Sequence, residues 1–414
     1  MVKIILLLVL SAVCLAASET YEGYKVYRMY PKTEEQKTFL RSLEDSDELD
    51  FWAEVKRIDT PVDVMVKPKD QEKFVMAMQA SGMEPEVYID DVQEKIKPEH
   101  VGSYMARAGM TWTQYYRIAD IYTWLDELAA TYSKASVVIG GSTYEGRQIK
   151  GLRINNGAGK KAVFIEGGIH AREWISTATV TYLANQILTS TDPAFKKIAD
   201  SFNWYLFPSA NPDGYEYTHT TTRLWRKTRT NYSALCKGAD PNRNWAAHWM
   251  EQGSSSTCTS ETYAGPRAFS EVETASLSAY IRSVSSELVA YIDFHSYSQL
   301  LMVPYGHTTS KLGNYAETVA IGNVAIAALA QRYGTRYSAC GNIAEVIYAA
   351  SGGSIDWVKQ EFNTPLVYVY ELRDLGANGF VLPPAQIIPN NLEVVDSLIA
   401  LFNEAARRGI VTLV

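Results

Sequence analysis

The chain has 414 residues, 47% of them hydrophobic and 21% charged, proportions of a globular protein rather than a disordered one. Its 26 Gly and 15 Pro follow no period, which excludes collagen-like and low-complexity classes, and a formal charge of −7 argues against a nucleic-acid partner. The charge is unevenly spread: residues 18–107 hold 20 acidic against 13 basic side chains, and residues 108–414 hold 26 against 25. That change of balance marks a boundary near residue 107.

The chain opens with Lys3, a largely apolar run from Ile4 to Val13, and the small residues Ala16, Ala17 and Ser18. This is the pattern of a signal peptide over 1–17, and its apolar run is well short of the ~20 residues a membrane span needs. The expected product is secreted and extracellular, with no membrane association. Cys14 leaves with the signal, and the oxidising route then pairs Cys236 with Cys258 and leaves Cys340 as a buried thiol. Asn231-Tyr-Ser233 is a glycosylation sequon.

Residues 18–92 read as a small α/β module. Tyr24 to Tyr30 alternates as a half-buried strand does. Thr33-Glu-Glu-Gln36 is a capping-box start for a helix carrying Phe39, Leu40 and Leu43 on one face. Strands follow over Phe51 to Arg57 and Val62 to Val66, then a helix over Lys69 to Ala80 ending at Gly82, then a strand over Glu86 to Asp91. The order βαββαβ predicts a ferredoxin-like arrangement. Residues 93–107 read as a polar linker ending in Ala106-Arg107-Ala108, where a trypsin-like protease can cut.

Beyond 108, buried-type strands are predicted over Ala162 to Glu166, Asn203 to Phe207, Glu287 to Phe294 and Pro365 to Tyr370, with helices over Ile175 to Leu188 and Leu392 to Ala406. The fold class is α/β, with a mixed, mostly parallel central sheet flanked by helices. Ligands of such sheets bind beyond the carboxyl ends of the strands. There the sequence places His170-Ala-Arg-Glu173 after one strand and Asp293-Phe-His295 at the end of another. Two His and one Glu with an open fourth position form a catalytic zinc set, and the wide separation of His295 from the first pair is unlike a structural zinc module.

Residues 108–414 resemble the secreted zinc carboxypeptidases of the A/B type. The matching stretches are Gly-Gly-Ile-His170-Ala-Arg172-Glu173-Trp-Ile, Arg223-Leu-Trp-Arg226-Lys, Asp240-Pro-Asn242-Arg243-Asn-Trp, His295-Ser-Tyr297-Ser-Gln, Ile347-Tyr348-Ala-Ala-Ser-Gly-Gly-Ser-Ile355-Asp-Trp and Tyr370-Glu371-Leu-Arg-Asp. Residues 18–107 resemble the family's activation segment.

The resemblance implies that His170, Glu173 and His295 bind one Zn²⁺, and that Glu371 is the general base. It implies that Arg226 stabilises the oxyanion and that Asp240 accepts the free N–H of His170. Asn242 and Arg243 would grip the C-terminal carboxylate of a peptide substrate, with Tyr348 closing over it. Arg172, Arg223 and Tyr297 would line the cleft, although either arginine can instead be a surface ion pair.

Ile355, at the position of the pocket floor, implies a preference for aromatic or aliphatic C-terminal residues, with Ile343 and Ile347 nearby. Asp293 departs from that pattern: it either admits a basic side chain or pairs internally. The remaining histidines, His100, His219, His248 and His307, read as surface or satisfied interior residues, with His219 and His307 in loops. The implied whole is a monomeric zymogen, cut after Arg107, whose segment 18–107 covers the cleft and is held by packing rather than by bulk charge.

Overall fold

The computed structural model describes residues 18–46, 48–53, 55–100, 109–338 and 340–414. The signal-peptide stretch 1–17 and the cleavage site at Arg107 lie outside the described residues.

The small domain has the order β1 (Lys25–Met29), helix Glu34–Leu43, β2 (Leu49–Ala53), β3 (Val62–Val66), helix Gln71–Ala80 and β4 (Glu86–Ile89). Its strands form an antiparallel sheet in the order β2-β3-β1-β4, the arrangement read from the sequence. Thr33 caps the first helix by accepting from Gln36 N at 3.2 Å, while Gln36 Oε1 reaches Lys32 N rather than Thr33 N.

Alternation along the strands creates two different faces. Tyr27, Phe51 and Val64 join Leu40, Phe74 and Met78 in the domain's own core. Val26, Trp52 and Met65 face the other way and pack on Leu224, Tyr297, Phe380 and Val381 of the large domain. The segment read as a polar linker from 93 begins instead as a helix, Val92–Ile96, because Asp91 caps it and Val92 and Ile96 bury in that same interface.

The large domain adds β5 (Ala135–Ser142), β6 (Gln148–Ile154), β7 (Ala162–Gly167), β8 (Asn203–Phe207), β9 (Leu288–His295), β10 (Leu300–Val303), β11 (Gly341–Asn342) and β12 (Leu366–Glu371). They form one sheet in the order β11-β10-β12-β9-β7-β8-β6-β5. The central run β12-β9-β7-β8 is parallel, and β5, β6 and β10 pair antiparallel at its flanks. Helices cover both faces. Val163 and Ile165 face the layer holding Trp174–Thr189 and Ile387–Arg407, and Ala162 and Phe164 face the layer holding Val272–Val284 and Ser354–Phe362. His219, expected in a loop, lies in helix Pro212–Thr220 and stacks on Trp174 at 3.9 Å. Cys236 and Cys258 are joined and Cys340 is a buried free thiol, as expected.

Glu273, in the first turn of helix Val272–Val284, is 2% exposed and accepts from Tyr144 N at 3.1 Å. Burial pushes its carboxyl up to about 7. Between its unfolded value near 4.5 and about 7, the folded state holds a proton that the unfolded chain has lost. Stability from this group is therefore full below pH ~4.5 and falls as pH rises to ~7, by as much as about 3 kcal/mol. Glu273→Gln is expected to remove that fall, so thermal melts at pH 5 and pH 8 should differ less in the variant than in the parent.

Candidate active site

The parallel strands deliver the chemistry at their carboxyl ends. After β7, Gly168 turns the chain with φ +61; a Cβ there would lie 2.6 Å from Thr177 Oγ1 and 3.1 Å from Pro208 O. The turn sends His170 and Glu173 back over the sheet, just ahead of helix Trp174–Thr189. His295 ends β9 and Glu371 ends β12, directly opposite each other in the ladder. That register, set by residues far apart in sequence, places a fourth functional group beside the first three.

His170 Nδ1 lies 2.8 Å from Glu173 Oε1, and His295 Nδ1 lies 3.1 Å from both His170 Nδ1 and Glu173 Oε2. All three residues are buried, and their donor atoms lie within 4.8 Å of one another. Donors held at ~2.0–2.1 Å around one tetrahedral zinc ion stand about 3.3 Å apart, so two imidazoles and a carboxylate at these spacings fit that ion. Burial alone would raise Glu173, yet the two imidazoles hold its carboxyl well below the usual range. Glu371 is pushed up to about 8 by burial, with Glu173 adding to the rise and His295 opposing it.

Asp240 accepts from His170 Nε2 at 3.1 Å and from Arg226 Nη2 at 2.8 Å. Burial acts to raise its carboxyl, but Arg226 and His170 hold it well below its ordinary value. Arg243 Nη2 meets the Tyr348 hydroxyl at 2.6 Å, and Asn242 Oδ1 accepts from Ser354 N at 3.0 Å. Ile343, Ile347, Ile355, Met302 and Val369 line the cavity beside these polar groups. Asp293 also lines it, but Oδ2 is engaged internally, 2.9 Å from His295 Nε2 and 3.0 Å from Ser354 Oγ.

A sequence profile described as zinc carboxypeptidase matches residues 121–397, and one described as carboxypeptidase activation peptide matches residues 27–99. The chain belongs to the zinc carboxypeptidase family. It is 44% identical over 395 residues to zinc carboxypeptidase A 1 of Anopheles gambiae, covering 94% of this chain and 91% of that protein. It is 45% identical over 298 residues to carboxypeptidase B of Astacus astacus, covering 71% of this chain and 98% of that protein. The crystal structure of carboxypeptidase A from Helicoverpa armigera superposes with a TM-score of 0.85 at 28% identity, over 94% of this chain and 99% of that one. The family is that of a peptidase using one zinc ion, made with an activation peptide.

The small domain sits over this zinc carboxypeptidase site. Trp52, Ala53 and Lys56 close the cavity, and the Lys56 charge acts to lower the Glu371 carboxyl. Arg172 and Arg223 are not surface ion pairs. Arg172 Nη1 binds Asp50 at 2.9 and 3.0 Å, and Arg223 binds Glu99 at 2.7 and 2.8 Å, both arginines being buried. Tyr297 donates to Asp63 Oδ2 at 2.9 Å, and Arg28 pairs with the same Asp63 at 2.6 Å. Local charge pairs thus reinforce the packing expected to hold this domain. Nothing in the spacing of Asp50, Asp63 and Glu99 singles them out among the acidic residues of their segment; only strand alternation places Asp50 with Trp52 and Asp63 with Met65 on one face.

Metal analysis is expected to find about one zinc per parent chain and almost none in His295→Ala, which loses one of three protein donors. Glu99→Gln is expected to loosen the small domain, because breaking a buried ion pair costs about 3–5 kcal/mol. The uncut variant should then hydrolyse peptides faster than the uncut parent.

Proposed function

We propose that the chain is the secreted zymogen of a carboxypeptidase that removes aromatic and aliphatic residues from peptide C-termini. The observation that carries this reading is the cavity itself. Isoleucines 343, 347 and 355 form an apolar recess beside the metal residues; of the two aspartates lining the cavity, Asp293 has an oxygen held by His295 and Ser354, and Asp356 is held by Gly306 N and His307. An apolar recess favours side chains that lose little by leaving water.

His170, Glu173 and His295 would hold the zinc, which would supply Lewis acidity at the scissile carbonyl. Glu371, opposite His295 at the end of β12, takes a proton from the attacking water and passes it to the departing amine. Arg226, fixed by Asp240, faces the oxyanion with a guanidinium that needs no reorganisation. Arg243 and Asn242 take the terminal carboxylate, the guanidinium fork matching its two oxygens. Tyr348, on Arg243 in this structure, covers the bound end. An exopeptidase follows from a fixed cation at that point, since an internal peptide bond offers it no carboxylate.

The small domain and the linker to Arg107 are removed by a trypsin-like protease, exposing Arg172, Arg223 and Tyr297 to substrate. Residues 1–17 direct secretion, and the protein works as a monomer. Asn231 is exposed, as a glycosylation site must be.

Trypsin-treated protein is expected to release Phe and Leu from blocked dipeptides much faster than Lys or Arg, and to lose that activity to a chelator. Glu371→Gln should lower kcat by about 10²–10⁴-fold with KM little changed. A preference for Arg would overturn the specificity, and equal rates before and after trypsin would overturn the zymogen reading.

A further inference from the structure

Asp293 and His295 lie two residues apart on β9, so both side chains point to the cavity face of the sheet. His295 Nε2 stands 2.9 Å from Asp293 Oδ2 and 3.4 Å from Asn242 Nδ2. The orientation of that amide is set by Ser354 N, which donates to Asn242 Oδ1 at 3.0 Å. An amide nitrogen cannot accept, so of these two neighbours only the carboxylate can take the Nε2 proton. With that proton in place, the Nδ1 lone pair faces His170 Nδ1 and Glu173 Oε2, each 3.1 Å away.

We propose that Asp293 is a positioning residue of the metal site. It fixes the tautomer and ring orientation of His295 as Asp240 does those of His170, so that both imidazoles present Nδ1 to one ion. The inference rests on the zinc reading of that site. Ser354, the first residue of helix Ser354–Phe362, anchors Asp293 through its hydroxyl at 3.0 Å. The two carboxylates differ in one respect. Asp240 is matched by Arg226, whereas among the described residues Asp293 makes no ion pair with a lysine or arginine. Its charge therefore acts on the imidazole without a competing cation, strengthening His295 as a donor. The competing role, an acid that recognises a basic C-terminal side chain, would fall to Oδ1, which has no hydrogen-bond partner.

The test uses the full chain, stripped of metal and titrated with zinc alone against a chromophoric chelator. Asp293→Ala removes the acceptor and Asp293→Asn keeps its shape. The apparent zinc dissociation constant is expected to rise about 10–100-fold in Asp293→Ala and by a smaller factor in Asp293→Asn. The visible spectrum of the cobalt-loaded variants should shift from that of the parent. Unchanged zinc affinity in both variants overturns the proposal, and a changed ratio of Arg-ended to Phe-ended hydrolysis would then assign Asp293 to recognition. A lower melting temperature of the metal-free variants with unchanged affinity also overturns it, because that is the mark of a purely structural acid. A parent chain that takes up no zinc overturns the zinc reading itself.

Discussion

Glu173, Asp240 and Asp293 face two imidazoles in a space where each acid is at most 2% exposed. A buried carboxylate is costly unless it is paired and hydrogen-bonded, and leaving one uncompensated costs about 3–5 kcal/mol. Here Arg226 answers Asp240 directly, while Glu173 and Asp293 lean on the histidines. Those histidines can serve Glu173 as cations or a metal as neutral donors, but not both at once. A dication held by His170, Glu173 and His295 would ease this competition, since its charge would compensate Glu173 while Asp240 and Asp293 stay beside the two Nε2 atoms. The strand ends, the turn at Gly168 and the opposition of Glu371 to His295 follow from the need to bring these groups to one point.

The small domain solves a related problem from outside. Its docking face carries Val26, Trp52 and Met65 between Arg28, Asp50 and Asp63, so apolar and charged contacts alternate across one surface. Trp52 packs on Phe380 at 5.5 Å while Asp50 binds Arg172 beside it, and Arg172 in turn lies 4.1 Å over the Phe380 ring. Asp50, Asp63 and Glu99 bring carboxylates to Arg172, Tyr297 and Arg223, while Arg28 and Lys95 donate to Leu375 O and Asn378 Oδ1. Asp50 and Glu99 are each met by an arginine at this interface, which a nearly neutral large domain permits without any long-range attraction.

Much of this was legible beforehand, and the parts that were not share a cause. The parallel strands β7, β8, β9 and β12 are covered on both faces, so they read as unbroken apolar runs. At the sheet's flanks the signal fades: β5 is half exposed and β11 has two residues, so neither carries an unbroken apolar run. His170, Glu173 and His295 stood out because metal-binding residue types fell at strand ends. Arg28 lies on the strand Tyr24 to Tyr30 that the sequence marks as half-buried, yet it is buried, because alternation reveals two faces without saying what covers the second. Asp293 was ambiguous for the same reason: spacing placed it beside His295, but only the positions of Ser354 and Asn242 show where its oxygen is used.

The same alternating face explains how a tightly fitted domain can also be a removable one. Buried ion pairs specify geometry well but add little net affinity, since desolvation offsets most of their attraction. Asp50, Asp63 and Glu99 therefore set the pose more than the strength of docking. Before proteolytic activation the two parts belong to one chain, which keeps their surfaces together at an effective concentration on the order of millimolar, and modest affinity suffices to cover the cleft. Once the chain is cut between them, docking is bimolecular and the same contacts would hold far less of the domain in place. A purely apolar interface of equal area would stay bound after the cut. One in which each apolar contact has a charged neighbour can be exact in fit and still let go.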